Sequence, residues 1–65
     1  MIRLTRRNGN PFVLNAELIK FVEELPDTII TLRDGEKVLV GETADQVVGL
    51  AIAYARETRF LPEPG

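Results

Sequence analysis

The chain has 65 residues, a net charge of −2, 28% charged and 45% hydrophobic residues, and neither cysteine nor histidine. That length allows one domain of marginal stability, which buries only ~60% of the surface its unfolded chain exposes. The missing residue types exclude disulfides, thiolate metal sites and the usual general base at neutral pH, and the mildly acidic balance excludes a basic nucleic-acid footprint over the whole domain.

No apolar run approaches the ~18 residues of a membrane-spanning helix. The opening residues alternate in polarity instead of forming the apolar centre of a signal peptide, so the cytoplasm is the expected compartment. Ile2 and Leu4 alternate with Arg3, Thr5 and Arg7, the pattern of a half-buried strand. Asn8-Gly9-Asn10 is a turn signal, because Gly9 and the asparagines tolerate positive φ. A second strand runs over Pro11-Phe12-Val13-Leu14. A three-residue loop over Asn8–Asn10 pairs Arg6 with Phe12 and Leu4 with Leu14. That register gathers Ile2, Leu4, Phe12 and Leu14 on one face.

Asn15 caps a single helical turn over Ala16-Glu17-Leu18, which serves as a corner. A third strand is expected from Ile19 to Leu25. Pro26-Asp27 ends it in a type I turn. Thr28 to Arg33 and Glu36 to Gly41 flank Asp34-Gly35, which reads as a two-residue type I′ hairpin with Ile30 opposite Leu39. Apolar residues fall on both faces of this hairpin, so one face is expected under the helix and the other partly covered.

Thr43 and Gln46 have the spacing of a capping box, and the helix they open should run to about Thr58. Asp45 lies in its first turn and Arg56 and Arg59 near its last, in keeping with the helix dipole. Val47, Val48, Leu50, Ala51, Ile52, Tyr54 and Ala55, with Ala44, spread over an arc of about 200°, whereas a surface helix needs a stripe of only ~100° or somewhat more. The excess predicts that the helix covers its own sheet and also meets another surface. Val48, Gly49, Ile52 and Ala55 are the candidate residues for a partner or oligomer interface. Gly49 and Ala53 form a small pair four apart, which suits either a surface position or a close backbone approach. Pro62-Glu63-Pro64-Gly65 has neither helix nor strand potential.

No set of residues reads as catalytic. Glu23 and Glu24 are adjacent in a strand and point to opposite faces. The other carboxylates sit at turns and element ends, and no threonine has a histidine or cysteine to activate it. Arg3, Arg6 and Arg7 form the one basic cluster, a candidate polyanion contact, but they lack the interleaved aromatics that stack on bases. Edge arginines also guard sheets against edge-to-edge pairing. Gly9, Asn15, Asp34, Gly35 and Thr43 are structural turn and cap positions. No cofactor or metal is implied, nor any membrane insertion.

The order of motifs is Ile2-Arg3-Leu4-Thr5-Arg6, Asn8-Gly9, Phe12, Leu14-Asn15, Pro26-Asp27-Thr28, Ile30-Thr31-Leu32 and Gly35, then a valine-rich helix. Over residues 1–56 this order resembles the FlbD (SwrD-type) family of small flagellar proteins. The family's Asn-Pro corner is Asn15-Ala16 in this chain, and the end from Phe60 to Gly65 departs from the family's short basic tail. The resemblance implies a cytoplasmic, non-enzymatic protein of flagella and swarming motility. Such a protein supports motor power by docking on motor, stator or basal-body components, and it implies no binding residues and no cofactor. Leu4-Thr5-Arg6-Arg7 also resembles the start of the CsrA family of RNA-binding regulators, over about ten residues. That likeness gives a second reading in which Arg3, Arg6 and Arg7 contact RNA.

The expected architecture is α+β: a curved antiparallel sheet of about five strands, in meander order, packed on one C-terminal helix. Residues 1–60 form the single domain and residues 61–65 a flexible tail. The expected core is Ile2, Leu4, Phe12, Leu14, Ile19, Phe21, Ile30, Leu32, Val47, Leu50, Ala51 and Tyr54.

Overall fold

A computed structural model describes residues 1–60, with side chains through residue 57. The expected tail therefore lies outside the described residues. β1 (Ile2–Thr5) and β2 (Pro11–Leu14) form an antiparallel hairpin that pairs Ile2 with Leu14 and Leu4 with Phe12. The loop does have three residues, but they are Arg7, Asn8 and Gly9. The Gly9 N–H donates to the Arg6 carbonyl, the Arg6 N–H donates to the Asn10 carbonyl, and Gly9 is left-handed at φ 95°. The Asn8 side chain accepts from the Asn10 N–H at 3.0 Å, which fixes the turn one residue earlier than its composition suggests. Every pairing shifts by two residues relative to the sequence expectation. An even shift leaves the faces unchanged, so Ile2, Leu4, Phe12 and Leu14 still point inward.

Asn15 Oδ1 accepts from the Glu17 N–H and caps a 3-10 turn over Ala16–Leu18. β3 (Ile19–Glu24), β4 (Thr28–Leu32) and β5 (Lys37–Val40) form a three-stranded antiparallel sheet. The turn between β3 and β4 is not type I: the Leu25–Pro26 peptide is cis, and the Leu25 N–H donates to the Asp27 carbonyl. The β4–β5 turn also departs from expectation. A type I′ turn needs positive φ at both central residues, and among the described residues only glycines have one. The loop instead holds Arg33, Asp34 and Gly35, with Gly35 at φ 93°, its N–H on the Leu32 carbonyl, and Asp34 Oδ1 accepting from the Glu36 N–H. Ile30 therefore pairs with Val38, not Leu39.

That odd-numbered slip decides which side chains are inside. Val22, Ile30 and Val38 form one cross-strand row facing the core, and Glu24, Thr28 and Val40 form the next. A bulge between Ile19 and Phe21 resets the alternation of β3, so Val22 turns inward and Phe21 outward. Phe21 is thus not a core residue, contrary to expectation. Leu50 is exposed as well.

The two sheets meet through one antiparallel bridge between Arg6 and Val40, supported by the Gly41 N–H on the Thr5 carbonyl and the Arg7 N–H on the Leu39 carbonyl. The five strands thus form two antiparallel sheets, β1-β2 and β3-β4-β5, each in chain order and joined at this one bridge, instead of one continuous sheet. α1 (Ala44–Phe60) closes the domain, lying against β3 and β1. Its capping box forms as expected: Thr43 Oγ1 accepts from the Gln46 N–H, and Gln46 Oε1 accepts from the Thr43 N–H. The buried apolar core is Ile2, Leu4, Leu14, Ile30, Leu32, Val40 and Val47, with Phe12, Ala16, Ile19, Val22, Val38 and Tyr54 packed around it. Five antiparallel strands and one C-terminal helix make the fold α+β.

Candidate interaction surface

α1 is anchored at its start. The Ala44 N–H donates to Glu24 Oε1 at 3.0 Å, so a β3 carboxylate satisfies a donor that the helix leaves open. One residue before the cap, Glu42 Oε1 accepts from the Thr5 N–H at 3.0 Å. Burial pushes the Glu42 carboxyl up, but the hydrogen bonds from Thr5 and from its own backbone outweigh burial and lower its pKa below the usual value. Val47, one turn in, is fully buried. Farther along, Tyr54 Oη donates to Glu17 Oε2 at 3.3 Å, tying the helix to the 3-10 corner. Burial, with the nearby Glu17 charge and that hydrogen bond, raises the Tyr54 pKa.

Beyond these anchors the helix leaves apolar surface uncovered. Val48 is 44% exposed and Ile52 47%. Gly49 is exposed, and a Cβ added to it would meet nothing within 4 Å, so no backbone of this chain requires glycine there. Val48, Gly49 and Ile52 thus share one open side. Ala55, seven residues after Val48, continues that side of the helix and also lines a shallow groove with Ala16, Glu17, Ala51 and Tyr54.

A second apolar surface lies on the sheet, where the apolar residues on both faces of the hairpin predict one face only partly covered. The outer face of the three-stranded sheet carries Phe21, Thr31 and Lys37 in one row and Glu23, Ile29 and Leu39 in the next. Phe21 is 46% exposed and Leu39 43%. Thr31, between Phe21 and Lys37, is buried on this face, and its Oγ1 has no hydrogen-bond partner. The alternation of β4 and β5 carried the signal. It became readable only with the correct turn, and a second Arg-Asx-Gly loop like the first would have supplied that.

The candidate polyanion contact is divided. Arg6 lies over the Phe12 ring, 4.4 Å from its centroid, and Arg7 forms an ion pair with Asp27. Arg3 is exposed on β1, where it pairs with Val13. Two of the three guanidiniums are therefore held in contacts of the fold. Among the described residues no group of three acidic residues could hold a metal ion, and no helix is long and apolar enough to cross a membrane. Gly9 and Gly35 hold the positive-φ turn positions and Asn15 and Thr43 cap, while Asp34 accepts from the Glu36 N–H and does not take the positive φ that a type I′ turn asks of it.

No curated protein and no solved structure matches the chain. A family model described as flagellar and swarming motility proteins, FlbD, matches residues 1–58. That match spans both sheets and nearly all of α1, including every surface described above, and the chain belongs to the FlbD family of flagellar and swarming motility proteins.

Proposed function

We propose that this protein is a non-catalytic, cytoplasmic accessory of the flagellum that sustains motor power during swarming by docking on stator or basal-body components. The observation that carries this reading is the apolar surface left outside a domain of 65 residues, on α1 and on the outer sheet face. Large apolar side chains grouped on one face mark interaction sites more often than isolated ones do. Phe21, Ile29 and Leu39, rimmed by Lys20, Lys37 and Glu23, have the apolar centre and charged border of a docking patch. The carboxylates fit a non-enzymatic role, since Glu24 and Glu42 cap backbone donors and Asp27 pairs with Arg7.

The test is deletion of the gene followed by torque measurement on tethered cells under rising viscous load. Loss of torque, restored by the wild-type gene but not by a Phe21→Glu/Leu39→Glu variant that still folds, is the expected result. Undiminished torque under load in the deletion strain rejects the reading. The RNA-binding alternative rests on Arg3, Arg6 and Arg7, of which Arg6 and Arg7 already have partners within the fold. A mobility-shift titration at low salt separates the two, because phosphate contacts give steep salt dependence.

A further inference from the structure

The side of α1 turned away from Val47 carries Asp45, Gly49, Ile52 and Arg56. Their spacing of four, three and four residues is that of a coiled-coil seam, and at ~100° per residue they fall within about 60° of one another. All four are exposed. Gly49 has open space above it, and Ile52 projects about half its surface. Neither Asp45 nor Arg56 takes part in an ion pair among the described residues. Along the helix the seam therefore reads acid, hole, knob, base. Reversed, it reads base, knob, hole, acid, which is its own complement.

We infer that a second copy of this chain docks on this seam, its helix antiparallel, about a two-fold axis level with the Leu50–Ala51 peptide. Asp45 then meets the partner's Arg56, and Arg56 the partner's Asp45. Ile52 of each copy seats over the partner's Gly49, and Val48 lies on the same flank as the partner's Ala55. A parallel pair would set Asp45 on Asp45 and Arg56 on Arg56, leaving the glycines face to face, so charge and shape both select the antiparallel arrangement. The absence of a Cβ at Gly49 lets the axes approach toward the lower end of the usual 8–10 Å, for which one knob per chain suffices. Two apolar layers between two ion-pair layers bury less than a standard interface, so the dimer is weak and concentration-dependent. This inference stands on the helix surface alone and leaves the outer sheet face free for a flagellar partner.

Sedimentation equilibrium of the purified full chain, from about 10 μM to 1 mM at low and high salt, tests it. Dimer is expected to grow with concentration and to weaken with salt. Ile52→Asp should raise the dissociation constant by about tenfold or more. Gly49→Leu should do the same while the chain melts no lower, since leucine is the better helix former; that pairing separates lost docking from lost folding. Asp45→Arg should weaken the dimer, and adding Arg56→Asp should restore it. The chain has no cysteine, so a Val48→Cys/Ala55→Cys variant should cross-link between copies on oxidation, the two positions lying two turns apart along one helix and too far to join within a chain. A chain that remains at 7.3 kDa throughout overturns the inference. So does a dimer indifferent to both Ile52→Asp and Gly49→Leu. The torque experiment reads a different quantity and can fail or succeed independently.

Discussion

Val47 and Val48 are the same side chain on consecutive residues of one helix, yet Val47 is fully buried and Val48 is 44% exposed. The difference is a rotation of ~100° about the helix axis. Val47 points between β1 and β3 into Leu4 and Ile30 territory, the part of the apolar arc the sheets can reach; Val48 points past their edge. Width of an apolar arc is thus a property of the sequence, whereas the part of it that is covered depends on how many strands lie beneath. A two-stranded and a three-stranded sheet joined by one bridge cover less than the full arc.

Substitutions that treat the two flanks alike should therefore give unlike results. Val47→Asp buries an unpaired charge and should abolish the fold, since the cost exceeds the ~5 kcal/mol that holds a domain of this size; far-UV circular dichroism reads it directly. Val48→Asp should shift the melting free energy by no more than about 0.5 kcal/mol. Within the core under Val47, Leu4→Ala and Ile30→Ala should each cost about 2–5 kcal/mol in urea unfolding, because both side chains are enclosed and leave a cavity.

Smaller effects sharpen the contrast at the ends of the helix. Thr43→Ala removes the hydroxyl that accepts from the Gln46 N–H and should cost about 1 kcal/mol. On the open flank, Gly49→Ala should raise monomer stability by about 1 kcal/mol, because nothing in the chain contacts the new methyl group. The smallest effect is at Glu42. Its folded pKa lies below the ordinary value of 4.5, so its contribution is complete above that pH and is lost as pH falls through the lowered value. Thermal melts from pH 6 downward should show a slope that Glu42→Gln flattens, with pH 6 taken as a start about 1.5 units above the ordinary carboxylate range.

Much of this architecture was legible beforehand, and the misreadings share one cause. Strand positions, the Asn15 and Thr43 caps and the inward set Ile2, Leu4, Phe12 and Leu14 follow from periodicity and cap chemistry, which are local. Phe21 was misplaced because the bulge at the start of β3 inserts one residue, and nothing in Ile19-Lys20-Phe21 marks it. The Asp34-Gly35 turn was misread because that dipeptide suits two loops, which differ only in whether Asp34 adopts positive φ. The helix flank was visible in the sequence because it is a single-element property. A partly covered outer sheet face was expected as well, but which side chains lie on it depends on three strands held in register and did not follow from a misread turn.

The attachment of α1 sets a gradient along it. Glu24 and Glu42 fasten the region around its first residues to two different strands, Val47 fills the core one turn later, and the Tyr54–Glu17 hydrogen bond ties it to the corner farther along. Backbone amides between Val47 and Ala51 should therefore exchange with deuterium only when the whole domain opens. Those of Arg56 and Glu57, nearer the end of the helix, should exchange faster, through local opening.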